Sequence, residues 1–490
     1  MNPQIILNPL SKEEVSFNLL LENYGIVKSE TDGSIFLQNQ YNKNELLTFE
    51  KEKVCNLIQN LFYQKFGKII SKNSVNNLWS LIKAIAENCE DYQPIATLIF
   101  QTKDNNIYYD FGSEKNIIKI SKRGVMQIKR ETSRILFINN NIKNKKIYLP
   151  KKNIQGNEYL RIIRNLFNLD NSQILLFAVY IVTLFLPKLN HPLLILQGEQ
   201  GAAKSTTLRM ISRIINPHCG DLNTMPTDID DLATILHNQY FSAFDNISYI
   251  SKAFADLLCM TVTGGFYSKR KKYTDNQLSV SNIHKPVALN GLNLNISFGD
   301  LMDRAVFIEL KRIDVQERLT EVEVWDKFYN YLPKLLGGAF TILSSALSMI
   351  NNVVIKSLPR LADFSKYGYC IAESIKKGYG DKFLQQYNHN ISCSRKAVIM
   401  NNPLLSSINY FMDDKDEWRG SMTELLKELG EVYLNNSVSN YLPSSFPKAA
   451  NSLSTKLKVL HTDLSAIGIS VDIGRGSTRY VYIKKSNNKE

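Results

Sequence analysis

Residues 193–210 read LLILQGEQGAAKSTTLRM: an unbroken apolar run, a short segment holding Gly198 and Gly201, then Lys204-Ser205-Thr206 opening a stretch of helical pattern. The apolar run reads as a buried strand and the residues after Lys204 as a helix. Glycines between the two let backbone N–H groups turn inward around an anion, and the N-terminus of the helix favours negative charge. Gly198, Glu199, Gln200, Gly201, Ala202, Ala203, Lys204, Ser205 and Thr206 therefore read as a loop that binds the phosphates of ATP. Lys204 is placed to reach the β- and γ-phosphates, and Ser205 to hold Mg²⁺. The strict pattern has a further glycine before the lysine, and here that residue is Ala203.

Working outward, helical patterns alternate with short apolar runs at Tyr240–Phe244, Val287–Leu289 and Val306–Leu310, which predicts an α/β domain with a largely parallel sheet over 156–405. Tyr240–Phe244 runs into Asp245, a carboxylate on the metal side of the loop. Val287–Leu289 runs into Asn290, an amide that orients water or senses the terminal phosphate, or else a turn residue before Gly291.

The chain has 490 residues, 44% of them hydrophobic and 21% charged, which is the make-up of a folded protein with about three domains. A net charge of +13 and a sequence pI near 9.2 favour polyanionic partners. Six scattered cysteines without metal-ligand spacing point to reduced thiols and no zinc site. No secretory signal is read at the N-terminus, and the apolar run Ile174–Leu186 falls short of a membrane span, so it reads as a buried helix. A cytoplasmic protein with no membrane partner is expected.

The flanking regions differ in character. Residues 1–155 are expected to form a mixed α+β domain, with a strand near 34–37, helices near 54–66 and 75–88, and short β runs from about 96. Within 119–152 stand eleven basic residues and one acid, Glu131, either a surface for DNA backbone or a solvated face. In 406–490, Ser421 with Glu424 reads as a capping box, and Leu453, Leu457, Leu460, Leu464 and Ile467 make one buried stripe of a second helix. Two strands around Gly474-Arg475-Gly476 follow. This order resembles a winged helix, with Lys456 and Lys458 on its groove helix and Arg475 and Arg479 on its wing as DNA contacts. A protein-docking winged helix is the alternative.

The loop, Ala243-Phe244-Asp245-Asn246, Thr263-Gly264-Gly265, Tyr273-Thr274-Asp275, Leu289-Asn290-Gly291, Asp303-Arg304-Ala305 and 358–364 (LPRLADF) together resemble AAA+ ATPases of the MCM-like group. Among these, the chain is most similar to self-loading replication initiator helicases of staphylococcal pathogenicity islands and cassette chromosomes. Alanine before the loop lysine is usual in MCM proteins. The resemblance implies an oligomer, a hexameric ring with ATP between subunits, in which Arg304 is the arginine finger for the neighbour's γ-phosphate and Arg360 the sensor-2 arginine of the lid. It implies further that Lys269-Arg270-Lys271-Lys272 is a pore-facing hairpin gripping one DNA strand, with 3′ to 5′ movement.

One departure bears on mechanism. Most AAA+ proteins carry glutamate where this chain has Asn246, and an amide orients water without accepting its proton. Asp228, Asp256 and Glu199 are the candidate bases. Two other functions stay open on this ground: an ATP-switched DNA-binding initiator or loader that does not unwind, and an assembly factor that binds nucleotide without turnover.

Overall fold

A computed structural model of the protein describes residues 11–138, 146–216, 222–270, 278–291, 299–437, 441–475 and 479–485. At its centre is a four-stranded sheet made of Leu193–Gln197, Ser242–Phe244, Val287–Asn290 and Ala305–Glu309. All are parallel, and the strand leading to Asp245 lies at one edge, beside the Asn290 strand, then the phosphate-loop strand, then the strand that follows Arg304. Parallel strands covered on both faces need apolar side chains in both directions, which is why these segments read as continuous runs. Asn223 bridges Phe244 and continues the sheet past its edge.

Helices cover both faces. The helix Ile174–Thr183 is buried at every one of its positions, as its composition predicted. The helix Glu321–Met349 is long and apolar enough to cross a membrane, yet two thirds of its most apolar window (67%) is buried inside the protein. Gly337 on it permits a close crossing: a Cβ there would stand 1.8 Å from the carbonyl oxygen of Lys151. The helix is therefore packed as a core element.

Residues 11–96 build helices Lys12–Asn23, Lys51–Phe66 and Lys72–Glu87 around Leu20, Leu37, Val54, Ile58 and Ile82. An antiparallel meander follows: Ile99–Gln101, Ile107–Tyr109, Asn116–Ser121 and Gly124–Lys129. Its inward residues Ile107, Tyr109, Ile118 and Ile120 share one core with the central sheet. The Tyr109 hydroxyl donates to the Ile215 carbonyl at 3.1 Å, and its ring meets Phe185 and Phe340 edge-on. The core around the phosphate loop thus reaches back to Leu98.

The C-terminal residues have their own core around Leu405, Leu425, Leu453 and Ile483. Ser421 and Glu424 make the expected capping box at the start of Met422–Asn436. The second helix departs from expectation. It is two helices, Ala450–Val459 and His461–Ala466, broken at Leu460, whose ψ is 7°. The bend keeps the apolar stripe on the core: Leu453, Leu457 and Leu464 are buried and Leu460 and Ile467 pack against them. The strands Ile469–Arg475 and Arg479–Lys485 pair as expected, and a third strand, Glu417–Gly420, joins the free edge of the second.

Candidate functional site

The phosphate loop turns on backbone conformations that its sequence has to tolerate. Gly198 has φ 142°, and a Cβ there would lie 2.4 Å from the Leu310 carbonyl oxygen, so the neighbouring strand end leaves no room for a side chain. Gly201 has φ 86° and Ala203 φ 59°. Ala203 therefore sits where a glycine would rest without strain. It is also the cap of Lys204–Ile215, and it offers no side-chain acceptor to the helix N–H groups. Those N–H groups are the donors an anion can take up.

Lys204 reaches over the loop, its Nζ donating to the carbonyls of Gly198 at 2.7 Å and Glu199 at 2.9 Å. Burial lowers its pKa from the ordinary lysine value, while the Asp245 carboxylate works the other way. Ser205 Oγ donates to Asp245 Oδ1 at 2.8 Å. A hydroxyl and a carboxylate in contact beside a phosphate loop form an oxygen-only donor pair, the kind that suits Mg²⁺ alongside phosphate oxygens. Among the described residues no cluster of three or more metal-ligating side chains occurs.

Asn246 and Asn290 meet directly. Asn246 has φ 56°, and its backbone N–H donates to Asn290 Oδ1 at 2.8 Å. Asn290 is 2% exposed, and its Nδ2 is buried with no partner among the described residues. A buried amide donor left unpaired costs about 1–3 kcal/mol, so a phosphate oxygen or water that accepts from it recovers that loss. Lys204, Ser205, Asp245, Asn246 and Asn290 are thus brought to one end of the sheet. Of the candidate bases, Glu199 pairs with Arg312 at 3.6 Å and Asp228 caps the helix Ile229–Asn238. Neither lines the 470 Å³ cleft beside Asp245 and Asn246.

Arg304 and Arg360 lie elsewhere. Arg304 precedes the strand whose Ala305 pairs with Leu193, the first residue of the loop strand, so it stands at the opposite end of the sheet from Lys204. Five strand residues separate them, roughly 15 Å, beyond side-chain reach. Arg304 is ion-paired with Asp300 and donates to the Asp300 carbonyl at 2.9 Å, and its Nη1 is 3.8 Å from Cys259 Sγ. Arg360 joins the same acid at 2.7 Å and Asp303 at 3.3 Å. Burial raises the Asp300 carboxyl pKa, but hydrogen bonds from Arg304 and Arg360 outweigh it and leave it below the ordinary value. Asp256, the third candidate base, stands on the helix Lys252–Thr263, three residues before Cys259, and does not line the cleft beside Asp245 and Asn246 either.

Lys269 lies on a hairpin of Phe266–Arg270 with Leu278–Asn282, and its Nζ is 3.8 Å from Asp230. The side chain of Arg270, and Lys271 and Lys272 altogether, lie outside the described residues, as do the 273–275 segment and the side chains of Arg475 and Arg479. Lys456 donates to the Ser445 carbonyl, and Lys458 is exposed. Two groups escaped the reading of the sequence. One is Asp300, whose signal was its spacing of four from Arg304. The other is a 920 Å³ cleft beside the loop, where Thr206 and Ala203 face Arg318 and Trp325. Its signal was Arg318, a cation after the last strand.

The fold and this end of the sheet define an α/β protein whose central parallel strand feeds a tight glycine-containing loop at a helix N-terminus. Residues 160–386 match the model of the actinomycete integrative conjugative element replication protein, and residues 404–490 match the C-terminal domain of that RepA protein. The chain is thus similar, over both segments, to the replication protein of a mobile genetic element. No curated protein matches it. Among solved structures it is similar to the apo C-terminal region of NrS-1, at 13% identity over 96% of this chain and 99% of that one, with TM-score 0.44. It is similar also to the active helicase Cch of SCCmec type IV, at 12% identity over 94% and 93%, with TM-score 0.46.

Proposed function

We propose that the chain is an AAA+ ATPase of the MCM-like branch, a replicative helicase and initiator that unwinds DNA as a hexameric ring. The observation that carries this is the separation of its parts. Lys204, Ser205, Asp245 and Asn290 gather at one end of the sheet, and Arg304 and Arg360 at the other. A sheet built this way uses its arginines on a neighbour's nucleotide, which makes hydrolysis depend on assembly. Arg360, ion-paired to Asp300 beside Arg304, is the sensor-2 arginine in this reading and acts in trans with it.

In this reading the loop N–H groups and Lys204 bind the phosphates, and Ser205 with Asp245 holds Mg²⁺, which when bound neutralises charge on the phosphates. The Asn290 amide donates to the terminal phosphate or orients water, and Asn246 stands beside it. The hairpin carrying Lys269 tracks one DNA strand 3′ to 5′. The C-terminal helices and three-stranded sheet act as a winged helix on duplex or origin DNA, with Lys458 exposed on its second helix. The division into an N-terminal domain over 1–155, the ATPase over 156–405 and the winged helix over 406–490 is part of the proposal, with the meander 99–129 sharing its core with the ATPase across the first of these boundaries.

A second reading, an ATP-switched initiator or loader that does not unwind, is favoured by Asn246 and by the absence of Asp228, Asp256 and Glu199 from the cleft beside it. Strand displacement on forked DNA by the purified chain, with phosphate release measured alongside, tests the two. Unwinding by wild type and none by Lys204→Ala supports the helicase. Phosphate release without unwinding replaces it with the second reading.

A further inference from the structure

The meander 99–129 has a second face that the nucleotide site and its arginines leave unused. Strand alternation sends Ile99, Ile107, Tyr109, Ile118 and Ile120 into the core. The residues between them face the other way, and the register sets four in a row across all four strands. Phe100 is opposite Tyr108, Tyr108 is opposite Lys119, and Lys119 is opposite Met126. Phe100, Tyr108 and Lys119 are half-buried, Met126 is 56% exposed, and the Lys119 ammonium lies 5.6 Å from the centre of the Tyr108 ring. On the same face the buried Ile117, Ile135 and Phe137 pack against the two rings and hold them in place.

This row lines a groove of about 820 Å³. Lys103, Arg134 and Lys188 also line it, so that among the described residues four cations, Lys119 included, face a single acid, Glu30. Aromatic rings fixed in a sheet and bordered by cations reward an unpaired nucleotide twice, by stacking on its base and by neutralising its phosphate. A duplex keeps its base faces covered and gains from the cations alone. We propose that this groove binds single-stranded DNA, bases stacked on Phe100 and Tyr108 and the backbone along Lys119 and its neighbours, without sequence preference. The site is separate from the nucleotide loop and from the hairpin carrying Lys269, and it stands whether or not the chain unwinds DNA.

The test uses the full chain without nucleotide and a fluorescent oligothymidine of about 16 nucleotides, the upper end of the footprint of one single-strand-binding fold. Tyr108→Ala is expected to weaken binding, read by anisotropy, roughly tenfold, and Tyr108→Phe to restore it. Lys119→Ala is expected to lower the slope of log affinity against log salt by about one. Met126→Glu changes a side chain that is already exposed, so it tests the groove without disturbing the core, and it is expected to weaken binding as well. DNA-independent phosphate release is expected to stay at the wild-type level in all four variants. A 4-thiothymidine oligonucleotide is expected to crosslink within 97–129. Wild-type affinity in both Tyr108→Ala and Met126→Glu overturns the proposal, as does competition by an equal length of duplex as strong as by single strand. Loss of unwinding with groove binding intact counts against the helicase reading and leaves the groove standing.

Discussion

Mixing two inactive variants distinguishes an arginine that serves its own subunit from one that serves a neighbour. Arg304 stands before Ala305, which pairs with Leu193 at the start of the loop strand, and Lys204 follows the other end of that strand. The gap of roughly 15 Å is fixed by strand geometry and cannot be closed by a rotamer. Lys204→Ala then disables the site on its own subunit, and Arg304→Ala disables the site next door. Each alone is expected to cut phosphate release by about a thousandfold or more, the range for an arginine supplied in trans. In an equimolar mixture, a working interface needs the loop of an Arg304→Ala subunit and the arginine of a Lys204→Ala subunit. In a head-to-tail ring, about a quarter of interfaces meet that condition. Phosphate release plotted against mixing ratio should rise to a maximum near equal amounts, at about a quarter of the wild-type rate. A flat trace at the level of the single variants refutes the assignment in trans.

Three further outcomes follow from the geometry. Asn290→Leu leaves the Asn246 N–H without its acceptor but also removes the unpaired buried Nδ2, effects of about 1–3 kcal/mol and opposite sign, so urea unfolding should shift by less than about 1 kcal/mol, and Asn290→Asp, which buries a carboxylate, should be the less stable of the two. Gly198→Ala brings a Cβ to 2.4 Å from a carbonyl oxygen at φ 142°, and a strain of about 1–3 kcal/mol should appear as weakened binding of a fluorescent ATP analogue. Gly201→Ala, where the nearest atom is the Arg318 guanidinium at 3.5 Å, should weaken it less. His191 is buried, its Nε2–H donates to the Thr183 carbonyl at 2.8 Å, and burial pushes its pKa down to about 4. Its folded value lies below the unfolded one, so this stability is present above about pH 6.5 and is lost as pH falls toward about 4, some ~3 kcal/mol in all. Unfolding midpoints from pH 7 to pH 4.5 should fall in wild type and fall less in His191→Gln, and parallel curves would contradict the assignment.

What could be read from the sequence was what neighbouring residues decide together. The phosphate loop was legible because glycine backbone freedom and a helix start are local properties, and the buried parallel strands because both their faces are apolar. The capping box at Ser421 was legible for the same reason. Contacts between distant segments were not. The alternation in 107–120 revealed strands, but nothing in it told that Tyr109 would reach Ile215, more than a hundred residues on, and draw the meander into the central core. The break at Leu460 lay hidden because a stripe spaced four and three survives a bend that keeps the same side inward. Asp300 was passed over because an acid four residues before an arginine is ordinary on a surface, and its importance comes from Arg360, brought to it from 60 residues away.

The helix Lys252–Thr263 links the parts of the proposed motor more closely than their places in the sequence imply. Its cap Ser251 and its first-turn Phe254 line the cleft beside Asp245 and Asn246. Five residues further along, Cys259 touches Arg304. The helix ends at Gly264, with φ 82°, and the hairpin that carries Lys269 begins at Phe266. On the proposed reading, one rigid element therefore contacts the subunit's own nucleotide cleft, the arginine offered to the neighbour and the strand that grips DNA. On that reading, a shift of this helix along its axis is passed through Gly264 and Gly265 to the hairpin, because a packed helix transmits displacement with little compression. That connection sets an order of dependence. Replacing Phe254 with Ala opens the cleft end of the helix while leaving Lys204, Arg304 and Lys269 in place. It should lower unwinding per ATP consumed more than it lowers ATP turnover, measured as base pairs separated per phosphate released. An unchanged ratio would mean that the hairpin is driven by some other element.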